Sequence, residues 1–329
     1  MVRLVLAVLA ACFIAGPVTA AACSGRDLIA DMADADRAEL TRSAEAVPYA
    51  RGNFWRAVRD DQVIHLVGTY HFDDPRHDAA MTHITPVLEG ARTVLVEAGP
   101  EEETRLADEL GHRPDFMFLT EGPTLPEMLP EEDWRALADA MRARAVPPFL
   151  AAKFRPWYMA MLLSLPPCAM SEMQKGAKGL DHRVIAAAEA RGIPVRALEP
   201  YDTLFRIFGV LTMEQELDMI RTSLLMADRA EDYTTTLANA YFRGESRLIW
   251  EFTLAEARAI PGYTPEQIEE QFGLMEEVLM TLRNRAWIPV LLDAAQQGEV
   301  LAAFGALHLP GEAGVLALLE AEGFAISPF

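Results

Sequence analysis

Two short segments, 237 positions apart, carry the same three residue types at the same offsets. Residues 63–71 read V-I-H-L-V-G-T-Y-H and residues 300–308 read V-L-A-A-F-G-A-L-H, so Val, Gly and His recur at offsets one, six and nine. Each copy is a short apolar run, a Gly (Gly68, Gly305) that frees the backbone for a sharp turn, and a His (His71, His308) presented just beyond it. Each is followed by a helix-like stretch reaching a Leu-Glu pair, Leu88-Glu89 or Leu319-Glu320, and then by another short β-like run. An imidazole binds metal or moves protons near neutral pH, so two of them at matching strand ends would begin an active site. With 20 Gly and 7 His in 329 residues, chance gives fewer than one Gly-x-x-His, and the chain has three. The third, Gly179 to His182, opens an apparent helix and follows no strand, so it is set aside; the weight rests on strand context.

Two carboxylates join the histidines. Residues 63–67 lead to His71, 93–96 to Glu97, 195–198 to Glu199 and 300–304 to His308. In open α/β sheets ligands bind at the carboxyl ends of parallel strands, which would bring these four side chains together. Two histidines and two carboxylates can hold a divalent metal (Mn, Co or Zn) and activate water. They can equally support metal-free hydrolysis, with His as base and Glu orienting it. Ligands drawn from separate strands need no H-E-x-x-H helix, and the sequence has none. Arg283 and Asn284 precede Trp287; Arg could clamp an anionic group or transition state and Asn orient a ligand, the alternative being a helix-surface pair. Asp73, Asp74 and His77 extend the site or form a solvated loop. Trp157 and the methionines Met159, Met161, Met170 and Met173 read as core or groove lining.

The elements that must position these groups alternate. Residues 27–46 read as one or two peripheral helices. A strand at 63–67, a helix around 77–88 and a strand at 93–97 form the first unit; helices follow near 101–110, from 130 and from 156. An alanine-rich helix at 181–191 leads to a strand at 194–199. Residues 202–297 are mostly helical, with interruptions near Gly244, Pro261-Gly262 and Pro289. The second unit closes the chain with a strand at 300–304, a helix at 312–321 and a run at 324–327. Strands alternating with helices argue an α/β fold with a largely parallel sheet, built from two related strand–Gly-x-x-His–helix–strand halves. The stretch 202–297 would be a helical insertion forming a cap on a single domain spanning 21–329.

Arg3, an uncharged apolar run at 4–14, Pro17 and the small residues Val18-Thr19-Ala20 have the order of a secretory signal, with cleavage near Ala20 to Ala22. The apolar stretch at 157–165 is stopped by Pro166-Pro167 and is too short to span a bilayer. Cys12 would leave with the signal, and Cys23 with Cys168 then forms one disulfide in an oxidising compartment, the periplasm. So long a loop contributes on the order of 3–5 kcal/mol in the chain-entropy model. Acylation of Cys23 is the competing reading, although Ala20-Ala21-Ala22 lacks the Leu usual three residues before a lipidated cysteine. The formal charge is −20, which excludes nucleic acid and anionic lipid as partners.

The same residues resemble the TraB/GumN family, within the wider group related to erythromycin esterase, ChaN and the Tiki metalloproteases. The matching pieces are V-G-T-Y-H at 67–71, V-L-V-E at 94–97, R-P-W at 155–157, G-L-D-H-R-V at 179–184 and G-I-P-V-R-A-L-E at 192–199. R-N at 283–284 and G-A-L-H-L-P-G-E-A-G-V-L at 305–316 complete an ordered set running from about residue 50 to the C-terminus. The resemblance implies an α/β core of two related halves with paired Gly-x-x-His motifs and a Glu at the site and, for the Tiki branch, metal-dependent peptidase activity. It points to His71, Glu97, Arg283, Asn284 and His308 as site residues. Glu199 rests on the strand argument. The expected function is an exported, metal-dependent hydrolase acting on a peptide or small molecule. The alternative is a periplasmic protein that sequesters a peptide or haem without turnover.

Overall fold

The computed structural model describes residues 23–329, so the expected signal at 1–20 lies outside the described residues. Six strands form one sheet: β1 (Phe54–Arg59), β2 (Gln62–Thr69), β3 (Thr93–Val96), β4 (Val195–Ala197), β5 (Val300–Gly305) and β6 (Ala325–Pro328), in the spatial order β4-β3-β5-β2-β1-β6. The pairs β4–β3, β3–β5 and β5–β2 are parallel, and β1 runs antiparallel to both β2 and β6. The largely parallel α/β architecture read from the sequence is the one observed. β1 was not anticipated. Its F-W-R-A-V-R run fully buries only Ala57, and its link to β2 is a tight turn with Asp60 at φ 53°.

Period-two alternation splits the central strands between two cores. Ile64 and Leu66 of β2, Leu95 of β3 and Val300, Ala302 and Phe304 of β5 pack under the Leu282–Gln296 and Val315–Ala321 helices. Val67, Val94, Val96, Leu301 and Ala303 face the His77–Gly90 and Leu180–Glu189 helices on the other side. Handedness explains the split. The steps β2→β3 and β3→β4 move one way along the sheet, whereas β4→β5 and β5→β6 move back. A right-handed crossover puts helices for opposite directions on opposite faces. Neighbouring strands β2 and β5 therefore send their chains to opposite faces, and a crevice opens between their carboxyl ends.

Two expectations need correction. Pro289 does not interrupt the chain but lies inside the Leu282–Gln296 helix. Its ring is on the exposed side, as is Arg285, whose carbonyl loses a donor to the proline and can turn to water. That helix is also no cap: Trp287, Ile288, Leu291, Ala294 and Ala295 bury it against the sheet. The rest of the 202–297 stretch joins separate helical cores. Leu217 and Ile220 pack with Met159 and Leu163, while Ala240, Leu248 and Phe252 pack with Leu28, Ile29 and Leu40. Among the described residues no helix is long and apolar enough to cross a membrane.

Cys23 and Cys168 are bonded, with Cα atoms 5.6 Å apart and a sequence separation of 145. The bond ties the segment beside the Ala230–Phe242 helix to the Pro167–Gln174 helix. Cys168→Ser should lower unfolding free energy in urea by roughly 2–5 kcal/mol, since the open chain regains loop entropy. An unchanged midpoint would show that the cross-link constrains nothing.

Candidate functional site

The crevice between β2 and β5 is where the two Gly-x-x-His units meet. Gly68 pairs with Phe304 and Thr69 with Gly305 across the parallel ladder. The glycines serve a different purpose from the one expected of them. Neither adopts a left-handed backbone, and Gly305 has φ −49°. What each supplies is a missing side chain. A Cβ at Gly68 would stand 2.6 Å from Leu309 Cδ1 and 3.0 Å from the Ala306 backbone. A Cβ at Gly305 would stand 3.2 Å from Glu97 Oε1, 3.3 Å from His71 Nε2 and 3.7 Å from His308 Cδ2. Three chemistry-bearing side chains thus converge over one glycine.

His308 lies on a short 3-10 turn, Ala306–His308, immediately after β5, and only 4% of its side chain is exposed. Asn284 Nδ2 donates to the Ala313 carbonyl at 2.8 Å, which leaves Asn284 Oδ1 to accept from His308 Nδ1 at 2.5 Å. The His308 Nε2 lone pair therefore points into the site, where it accepts from Arg283 Nη1 at 3.2 Å. Burial lowers this imidazole to about 3, with Arg283 and His71 acting in the same direction and Glu97 against it. The ring is neutral. The Ala313 carbonyl is available because P-G-E-A-G at 310–314 turns before the helix begins at Val315, three residues later than expected.

Glu97 follows β3 directly. Its Oε1 accepts from the Gly305 N–H at 2.6 Å and lies 4.0 Å from His308 Nε2, while Oε2 accepts from Arg283 Nη2 at 2.7 Å. Burial would raise this carboxyl, but the two imidazoles, Arg283 and the Gly305 N–H together hold it at about 2. His71 forms the open side of the site, with 58% of its side chain exposed. Its Nδ1 meets Asp181 Oδ1 at 3.3 Å. Loss of solvent on its inner edge favours the neutral ring, but the Asp181 hydrogen bond and the nearby carboxylates outweigh that and raise it to about 9.

Arg283 and Asn284 hold the reacting groups. Arg283 binds Glu199 through Nε at 2.8 Å and Nη2 at 2.7 Å, so one guanidinium bridges the carboxylates that follow β3 and β4. Glu199 also accepts from Trp287 Nε1 at 3.1 Å. Glu199 meets only Arg283 and Trp287 and is absent from the three groups nearest a Gly305 Cβ, so it belongs to the arginine and not to the set around Gly305. Asn284, 2% exposed, is committed to His308 and the Ala313 carbonyl. Asp73, Asp74 and His77 lock the loop after β2: Asp73 pairs with Arg183, Asp74 with Arg76, and the buried His77 with the Phe72 carbonyl. The set-aside third motif proves adjacent, because Gly179 and Asp181 lie against His71. Its helix context is real, but the sequence gives no sign that this helix starts on the His71 backbone.

The donor set matches a divalent ion in type, with two imidazoles and a carboxylate around one glycine, but the His308 Nε2 lone pair is taken up here by the Arg283 Nη1–H. The spacing is slightly open, and among the described residues no three donors stand at coordination distance of one point. Ligands of a tetrahedral ion with bonds of about 2.0 Å lie roughly 3.3 Å apart, against 4.0 Å between His308 Nε2 and Glu97 Oε1.

Because the Glu97 carboxyl falls from its ordinary 4.5 to about 2 on folding, its ionisation stabilises the fold fully above pH 4.5 and is lost as pH falls toward 2. Glu97→Gln should flatten the acid limb of stability against pH, removing on the order of 2 kcal/mol of pH dependence between pH 6 and pH 3. Urea midpoints measured from pH 6 to pH 3 would contradict this if wild type and variant declined in parallel.

A model described as the TraB/PrgY/gumN family matches residues 53–328 of this chain. No curated protein matches it.

Proposed function

The chain belongs to the TraB/PrgY/gumN family, and from that premise we propose that it is an exported hydrolase that uses a divalent metal, with a peptide as substrate. One observation carries the reading: His71 Nε2, Glu97 Oε1 and the His308 ring converge within 3.7 Å of the position a Gly305 side chain would fill. Two imidazoles and a carboxylate are the protein ligands of many hydrolytic metal sites. The resemblance to the Tiki branch supports peptide as substrate. The acidic charge supports neither nucleic acid nor anionic lipid as a partner. The signal-like order at 1–20 and the Cys23–Cys168 bond support export to the periplasm.

A divalent ion bound by His71, Glu97 and His308 would supply a Lewis acid that activates water and polarises a carbonyl. The chain's own groups divide the remaining work. Neutral His308, held by Asn284 through Nδ1, would turn its Nε2 lone pair from Arg283 Nη1 to the ion. Glu97 already accepts from the Gly305 N–H and from Arg283, which hold its carboxyl below the ordinary range and make it a poor base. That favours Glu97 as a ligand. Arg283, fixed by Glu199, keeps a cation beside Glu97 and His308, where negative charge would develop on a carbonyl oxygen. His71, at the open side, is the member of the set a substrate meets first.

His71→Ala and His308→Ala should each abolish stoichiometric Mn²⁺, Co²⁺ or Zn²⁺ binding. Each should also reduce hydrolysis of a quenched-fluorescence peptide library by roughly 100-fold or more. Chelation should silence the wild type and added metal restore it. Unchanged metal content and unchanged hydrolysis in both variants would overturn the proposal.

A further inference from the structure

Both imidazoles of the site are held the same way. His308 bonds through Nδ1 to Asn284, and His71 bonds through Nδ1 to Asp181, so His71 presents Nε2 and His308 its Nε2–Cδ2 edge to the space over Gly305. Asn284 adjoins Arg283 on one helix, but Asp181 arrives from a separate helix 110 residues beyond His71. Several contacts bring it there. Gly179 lies so close to the strand end that a Cβ would stand 2.4 Å from the His71 carbonyl carbon and oxygen and 2.6 Å from the Tyr70 oxygen. The next residue, Leu180, donates its N–H to the Tyr70 carbonyl at 3.0 Å. The first turn of the Leu180–Glu189 helix is thus seated on the backbone that carries His71, and Asp181 falls beside the ring.

Asp181 is braced from behind. His182 Nδ1 stands 2.8 Å from Asp181 Oδ2 as a charge contact, and His182 Nε2 meets Glu103 Oε1 at 3.1 Å. Glu103 belongs to the Pro100–His112 helix, which begins three residues after Glu97. The brace therefore joins the elements that carry His71 and Glu97.

We infer that Asp181 is the positioning residue of His71: its carboxylate accepts from Nδ1–H and so turns Nε2 toward Glu97 and His308, where the neutral ring presents a lone pair. The inference rests on the proposed site for the role of His71, though not for the geometry. A carboxylate at the far nitrogen of a reacting histidine fixes tautomer and ring orientation, and its loss typically costs roughly 10–100-fold in metal affinity or activity. Gly179 takes part by allowing the approach, since any side chain there would push the helix off the His71 backbone.

The test is long-range proton–nitrogen correlation NMR of the His71 ring in the metal-free full chain, at a pH alkaline enough for the ring to be neutral. A neutral histidine side chain in water favours the Nε2–H tautomer, so the wild type should show the reverse, Nδ1–H. Asp181→Asn, whose side-chain carbonyl still accepts, should retain Nδ1–H, and Asp181→Ala should revert to Nε2–H with thermal unfolding as a control for fold. A wild type in the Nε2–H form, or an Asp181→Ala variant that keeps Nδ1–H, overturns the inference. A wild type that binds no Zn²⁺ yet shows Nδ1–H upholds the role of Asp181 and contradicts the metal reading, so the two failures are distinct.

Discussion

Parallel hydrogen bonding between β2 and β5 is the constraint on which the site depends. Residues 64–69 pair with 300–305, so segments from opposite ends of the chain become neighbours with a common direction. Because the two strands send their helices to opposite faces, a crevice opens beyond their ends. Two glycines then let side chains and backbone approach where any larger residue would collide. Slip one strand of that pair by one residue and its alternation reverses, turning either Ile64 and Leu66 or Ala302 and Phe304 toward the wrong core. The geometry of the site is thus tied to the geometry of the core.

Charge is handled with one guanidinium. Arg283 sits between Glu97 and Glu199 and donates to His308 as well, so two acids that follow adjacent strands share one buried cation. This arrangement keeps Glu97 ionised in a place where burial alone would protonate it. It also explains why the imidazoles diverge: enclosed His308 is neutral, whereas exposed His71, facing Asp181, keeps its proton more tightly. Matching residues in the two units thus carry unequal chemistry, set by surroundings and not by motif.

The strand ends were legible because each core strand is an apolar run closed by a chemical residue, and a parallel sheet collects such ends along one edge. His71, Glu97 and His308 were found that way. Glu199 shows the limit: its position after a strand could be read, but its engagement with Arg283 and Trp287 depends on a helix 84 and 88 residues away. Asp181 was missed for the same reason, since helical periodicity does not say which strand end a helix start will touch. The glycines were identified for the wrong property, because sequence shows that a side chain is absent and not what would fill its place. β1 went unread because a half-buried edge-side strand carries little alternation.

The most direct test of a shared site is anomalous diffraction from crystals of the full chain grown with Mn²⁺, Co²⁺ or Zn²⁺. The account predicts a single strong peak over Gly305, at about 2.0–2.2 Å from His71 Nε2, His308 Nε2 and a Glu97 oxygen. A peak ligated elsewhere, or none at these residues under saturating metal, would contradict it.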